Sequence, residues 1–351
     1  MDKNASRSIL PTACNGSPAF CDRKYSNITL VGAHDSPFVG PLAQHNQNID
    51  VVKQLNLGIR FLQGQVHLSP RRTWTEENKT ATSRPEPVLE LCHTSCFLED
   101  AGTLEKYLAT VKKWMDTEEN ANEVVTMLFV NWDAVGMDVF DQAFERSGIK
   151  KYVFDPGPKV LTINEWPSLM EMIYVGQRLV VFLDYGASPI SPYSYILDEF
   201  AYFFETPFDT TDPTFSDCSV HRPPAVSPTE RGMYIVNHFL DIEIMGVYIP
   251  DRVHAPRTNA VRGYGSIGEQ CDLCLAVAGR MPNVVLVDFV DQGNVIEAQR
   301  VLNSDYALSL VNHDDDLMLL RGLFLVFFLL AFCGIIVAKL RAMRYSHGLR
   351  I

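Results

Sequence analysis

Two histidines and a few carboxylates in this chain stand where proton transfer can be done. His34 and Asp35 are adjacent in "VGAHDSPFVG" (residues 31–40), directly after the apolar run 28–31 and before the turn-prone Ser36-Pro37. His93 lies in "LCHTSC", between Cys92 and Cys96, and Asp288 falls in the apolar stretch "NVVLVDFV" (283–290). Two imidazoles that titrate near neutrality suit attack of an oxygen nucleophile on a phosphodiester: one removes the attacking proton and the other protonates the departing alkoxide. A carboxylate hydrogen-bonded to the base, with Asp288 and Asp35 as candidates, fixes its tautomer and stabilises the imidazolium.

Further polar residues surround this set. "IRFLQGQVHL" (59–68) alternates so that Gln63, Gln65 and His67 share one strand face with Ile59 and Phe61. Asn131, Asp184, Asn237 and His238 fall at or near the ends of apolar runs and complete a candidate substrate-binding set. Cys92, Cys96, Cys271 and Cys274 form two remote pairs better suited to bridges than to a metal site, so no metal and no cofactor are expected.

The elements that must hold these residues are apolar, β-branched runs at 28–33, 59–68, 123–132, 178–184, 233–240 and 283–290. Helical periodicity marks 102–115, 135–144 and 267–281, so strand and helix alternate, which predicts a mainly parallel α/β sheet. Two further strands, sought at 151–154 and near 199–205, would complete the eight of a distorted (β/α)8 TIM barrel. In that architecture reacting groups sit at the C-terminal ends of strands, where His34 is found. Long loops are predicted at 69–87 and 206–231.

With 351 residues and 47% apolar content the chain can bury a full core. The net charge is −12, and the five basic and no acidic residues after Asp316 leave about −17 on the rest, which argues against nucleic acid as a partner. From Gly322 to Ala338 no residue is charged, and the run extends back to Leu317 if Arg321 snorkels. Asp314, Asp315 and Asp316 precede it and Lys339, Arg341, Arg344 and Arg350 follow, so it predicts one transmembrane helix with an extracellular or luminal N-terminal domain and a short cytoplasmic tail. The expected division is an N-terminal segment 1–27, a barrel 28–305, an acidic linker 306–316, a span 317–338 and a basic tail 339–351.

Sequons at Asn4, Asn15, Asn27 and Asn78 and seven cysteines before the span agree with that setting, although residues 1–16 show no apolar leader core. Spacing lets Cys14 pair with Cys21 and Cys92 with Cys96, and leaves one thiol unassigned among Cys218, Cys271 and Cys274.

The sequence resembles the X-domain superfamily of phosphatidylinositol-specific phospholipases C, and within it the fungal secreted or membrane-anchored PLC-like phosphodiesterases. "ITLVGAHDSPFVG" is similar to the family's Gly-Thr-His-Asp/Asn-Ser element, "QLNLGIRFLQGQVH" to its Gly-Ile-Arg-Tyr-Leu-Asp strand, "LCHTSC" to its second histidine and "PNVVLVDFV" to its last strand. The resemblance implies a distorted barrel with His34 as general base, His93 as general acid and Asp288 paired with the base. It also implies attack by the substrate's own inositol hydroxyl and a membrane lipid or glycolipid phosphodiester as partner.

Gln63 and Gln65 depart from that pattern. The family carries there an acidic residue followed by Arg in metal-independent members or Asp in calcium-dependent ones. A neutral amide supplies neither the cation that offsets phosphoryl charge nor a good calcium ligand. The reading is therefore metal-independent hydrolysis, with His67, Arg252 or Arg257 supplying the positive charge. The alternative is a catalytically lapsed, membrane-anchored barrel that binds a lipid headgroup or glycan.

Overall fold

The computed structural model describes residues 11–69, 87–224 and 232–304. The expected span 317–338, the tail, the linker and the sequons at Asn4 and Asn78 lie outside the described residues.

Among the described residues are twelve strands and seven bounded α-helices, with a further helical stretch over 295–304. The strands are β1 (Leu30–Ala33), β2 (Phe61–Leu68), β3 (Leu89–Cys92), β4 (Asp100–Thr103), β5 (Val125–Asn131) and β6 (Leu179–Leu183). They continue with β7 (Ile196–Asp198), β8 (Phe203–Glu205), β9 (Met233–Asn237), β10 (Asp241–Ile244), β11 (Val247–Pro250) and β12 (Val284–Val287). The helices are α1 (Val51–Leu57), α2 (Leu104–Met115), α3 (Met137–Ser147), α4 (Leu169–Val175), α5 (Glu199–Tyr202), α6 (Ala255–Thr258) and α7 (Ile267–Ala278).

Eight strands form one parallel sheet in the order β7-β6-β5-β2-β1-β12-β9-β8. Taken along the chain, this order is cyclic with one break, between β7 and β8, and no ladder joins those two among the described residues. The short α5 connects the two edges directly. Alternate residues of these strands, including Leu30, Phe61, Leu128, Phe182, Ile235 and Leu286, pack into one buried apolar cluster. Gly32 sits in this packing because nothing larger fits: a Cβ there would lie 2.9 Å from Leu286 Cδ2 and 3.0 Å from Phe61 Cδ1.

Helix starts follow from local chemistry. Asp50, Thr103 and Ser266 each accept a hydrogen bond from a first-turn N–H of the helix they precede, and Ser168 forms a capping box with Glu171. One hairpin extends the sheet and a second forms a two-stranded sheet of its own. The antiparallel β3–β4 pair continues from the far end of β2, through Val66↔Leu91 and Leu68↔Leu89, and carries the His93 loop. The β10–β11 hairpin follows β9.

The six sought runs all contain parallel strands, and the expected helices are α2, α3 and α7. Residues 151–154 are no strand: Lys151 and Tyr152 end a 3-10 turn, and Val153 makes a single bridge to Leu179. The strand sought near 199–205 is β8, and the remaining one is β7 rather than 151–154; each has three residues. Cys14–Cys21 and Cys92–Cys96 are bonded, Cys218 pairs with Cys274, and Cys271 is free and buried.

Candidate active site

Strand register alone brings two of the candidate residues together. Ala33 of β1 pairs with Val287 of β12, so the next residue on each strand, His34 and Asp288, emerges beside the other. The His34 N–H bonds to Val287 O at 3.0 Å, and its ring Nδ1 lies 2.8 Å from Asp288 Oδ1. Asn46 donates to the same carboxylate oxygen at 3.1 Å. Gln47 donates to His34 O at 2.7 Å and accepts from Val290 N–H at 3.1 Å, which fixes both strand exits. Phe239 closes one face of the imidazole, with ring centroids 3.7 Å apart and planes 3° from parallel.

Asp35 takes φ 42°, a left-handed conformation that folds the chain back over β2. Gln63 holds this turn twice, accepting from Asp35 N–H at 2.7 Å through its side chain and from Ser36 N–H at 2.7 Å through its carbonyl. Gln65 donates to Asp35 Oδ2 at 3.4 Å and accepts from Thr94 N–H at 3.2 Å, which ties the neighbouring loop to the same carboxylate. That loop brings in His93. Its Nε2 stands 3.3 Å from Asp35 Oδ2, and His34 Nε2 stands 3.6 Å from the same oxygen. Both imidazoles therefore converge on one carboxylate, itself fully buried, while the two rings keep 15% and 23% of their side-chain exposure.

Burial lowers the proton affinity of His34, but the charges of Asp35 and Asp288 overcome it and push its pKa up to about 9. His93 is also raised: burial opposes, and the hydrogen bond and charge of Asp35 prevail. Burial works against ionisation of Asp35, yet the two imidazoles hold its carboxyl below the usual range. Asp288 is pushed upward, because burial outweighs the help it receives from His34 and Asn46.

The other candidates divide. His67 lies along β2 with Nδ1 3.5 Å from Asp133 and its ring against Trp132, turned to the β2–β5 rim rather than to Asp35. Asn131 shapes a loop, donating to Val135 O and Tyr185 O. Asp184 accepts from Asn131 N–H, and Asn237 donates to Thr206 O and Glu205 Oε2. His238 is fully buried, with Nδ1 at Gln270 and Nε2 at Thr258 O, so the structure places it in the core against Phe215 and away from solvent.

Neither arginine proposed as the missing cation faces the two histidines. Arg252 is committed to Asn48 and to the carbonyls of Gly40 and Leu42, and Arg257 lies over Tyr264. Arg222, absent from the sequence-based set, is bound by Glu205 at 2.6 Å and flanked by Phe200 and Phe208. Its charge and those of His34 and His93 all act on Asp209. Sequence reasoning also missed Asn46, Gln47 and Phe239: no periodicity or motif marks a side chain that acts by reaching across a loop. Glu90, Cys92 and Cys96 gather within 4.8 Å, but both sulfurs are consumed by the disulfide and are not thiolate ligands.

The PI-PLC X family model matches residues 20–303. A "PI-PLC X domain-containing protein 1" of Arthroderma benhamiae is 49% identical over 301 residues, covering 84% of this chain and 92% of that protein. A second protein of that fungus, named "Uncharacterized secreted protein", is 42% identical over 80% of this chain and 61% of its own length. Among solved structures, a mutant phosphatidylinositol-specific phospholipase C from Staphylococcus aureus aligns at a TM-score of 0.49 and 13% identity, covering 80% of this chain and 94% of that one. The Listeria monocytogenes enzyme of that name aligns at 0.44 and 15% over 80% and 94%. The expected single-pass placement is corrected by these findings: the 42% identical relative is named as secreted, and no helix among the described residues is long and apolar enough to cross a membrane. With a match across most of its length and a half-identical relative, the chain belongs to the PI-PLC X family.

Proposed function

We propose that this chain is a phosphoric diester hydrolase in which His34 is the general base and His93 the general acid, acting on a lipid- or glycolipid-linked diester. The observation that carries the reading is the convergence of both imidazoles on Asp35 Oδ2, at 3.6 and 3.3 Å, with the far nitrogen of His34 held by Asp288. We also read the parallel sheet as a distorted (βα)8 barrel open between β7 and β8, which collects all its C-terminal strand ends at one mouth.

His34 Nδ1–H stays on Asp288, so Nε2 is the nitrogen that takes the proton of the attacking hydroxyl. With its pKa at about 9, His34 carries a proton at neutral pH, and the reactive fraction is the one that has lost it. The same carboxylates that hold the proton make the freed imidazole a strong base and stabilise the imidazolium it becomes. His93, kept protonated by Asp35, then gives its proton to the departing oxygen.

The two glutamines act on Asp35 and its loop rather than on substrate charge. Their amide oxygens accept from Asp35 N–H and Thr94 N–H, which turns them toward the loop backbone. Asp184 and Asn237 border the Arg222–Glu205 pair at the ends of β6, β8 and β9 and form a polar wall for the headgroup.

One observation favours a second reading, a barrel that binds a headgroup without cleaving it: the group between the histidine rings is a carboxylate and not a cation. The test is release of a cyclic phosphate or diglyceride by the purified chain without added metal, compared with His34→Ala and His93→Ala. Turnover by the parent that both substitutions abolish supports hydrolysis. Equal, negligible turnover in all three leaves only the binding reading.

A further inference from the structure

His45 and Glu99 lie outside this proton-transfer set, yet they join the two loops that carry it. Glu99 Oε1 stands 3.1 Å from His45 Nε2, and the two side chains are only 7% and 14% exposed. The other oxygen, Oε2, is buried without a hydrogen-bond partner. His45 Nδ1 accepts from Leu42 N–H at 2.9 Å, which leaves Nε2 as the N–H aimed at Glu99.

Each partner is fixed by its own loop. Arg252 binds the carbonyls of Gly40 and Leu42 at 2.9 and 3.1 Å, and the His45 imidazole fills the space where a side chain on Gly40 would stand. The next residues, Asn46 and Gln47, are those that hold Asp288 and His34. Across the cleft, the N–H groups of Leu98 and Glu99 both bond to Ser95 O, at 3.0 and 3.1 Å, within the turn that Cys92–Cys96 closes around His93. Glu99 is thus mechanically continuous with one histidine and latched to the support of the other.

We propose that Glu99, docked on His45, is a positioning residue that keeps His93 charged and ties the His93 loop to the His34 loop. Its purpose rests on the hydrolytic reading above. The titratable groups facing Glu99 are His93, Asp35 and His45, with Arg252 behind His45. Burial and the Asp35 charge raise the Glu99 carboxyl to about 7 against the pull of His93. Above neutrality Glu99 is ionised, and its charge then adds to those raising His93. That is the range in which His34, at about 9, begins to release its proton. Glu99 therefore keeps the acid loaded while the base becomes free.

The test is the imidazole titration of His93, followed by NMR on the full chain in parent, Glu99→Gln, His45→Gln and His45→Ala proteins, alongside the pH profile of diester cleavage. Glu99→Gln lowers the His93 midpoint by about one unit and moves the alkaline limb of activity the same way, with KM unchanged. His45→Gln, which keeps an N–H donor, stays near the parent, whereas His45→Ala shifts the midpoint in the direction of Glu99→Gln. An unchanged His93 midpoint in both Glu99→Gln and His45→Ala overturns the proposal. Since the midpoint is read without turnover, an inactive parent would sink the hydrolytic reading and leave this result standing on its own.

Discussion

His34 lies flat against Phe239, the two rings parallel to within 3° and 3.7 Å apart between centroids. Asp288 holds one edge of the imidazole, and Phe239 holds its face, so the remaining nitrogen is aimed by packing as much as by hydrogen bonding. Aromatic stacking of this kind is worth about 0.5–1.5 kcal/mol. Phe239→Ala is expected to lower kcat by about three- to tenfold with little change in KM, and Phe239→Leu, which restores bulk without a stacking face, should recover only part of the loss. Steady-state kinetics on the two variants check this; equal recovery by Leu would mean that bulk alone matters.

Asp288→Asn keeps the shape of the pair and removes its charge. Loss of general-base support is expected to cost about a hundredfold or more in kcat. Asp288 also raises the His34 pKa, so its removal lowers that pKa and the rising limb of the pH profile moves toward acid. A pH–rate profile in which only the amplitude changes would argue against charge coupling between the two.

Asp35→Asn addresses both histidines at once. The carboxylate raises His34 and His93, so its neutralisation lowers both, and the whole bell of the pH profile is expected to shift acidward by about one unit. Movement of one limb alone would show that Asp35 serves a single ring.

The disulfides should separate stability from activity. Cys218–Cys274 closes 56 residues and Cys92–Cys96 only 4, so chain-entropy arguments give about 4 and about 2 kcal/mol for their removal. Cys218→Ser with Cys274→Ser is expected to lower the urea midpoint more, while Cys92→Ser with Cys96→Ser is expected to reduce kcat more, because it frees the turn that carries His93. Urea unfolding and kinetics on the same two preparations test the crossover.

Much of the candidate site's placement on strand ends was legible in the residues themselves. The runs at 28–33 and 283–290 marked two strands by their β-branched content, and His34 and Asp288 were visible as polar residues where those runs emerge. The helices α2 and α3 were readable from 3.6-residue spacing. The three-residue strand β7 was not, because so short a segment carries no period and is extended only through its neighbours, whereas β8 falls in the stretch 199–205 where a strand was sought. The single-pass placement rested on residues 317–338 and was overturned by the relative named as secreted rather than by anything in the sheet.

By itself the sequence determined which groups could exchange protons and that parallel strands would present them, since residue type and hydrophobic period are local properties. Tertiary structure alone decided that His34 and His93, 59 positions apart in the chain, share one oxygen of Asp35. It also decided that Gln65 donates to that carboxylate while Gln63 holds the Asp35 backbone, and that His238, equally well placed at a strand end, is sealed in the core. The reason is physical: the period of a strand tells which face a side chain takes, but its partner across a loop is chosen by register and turn geometry, which depend on distant parts of the chain.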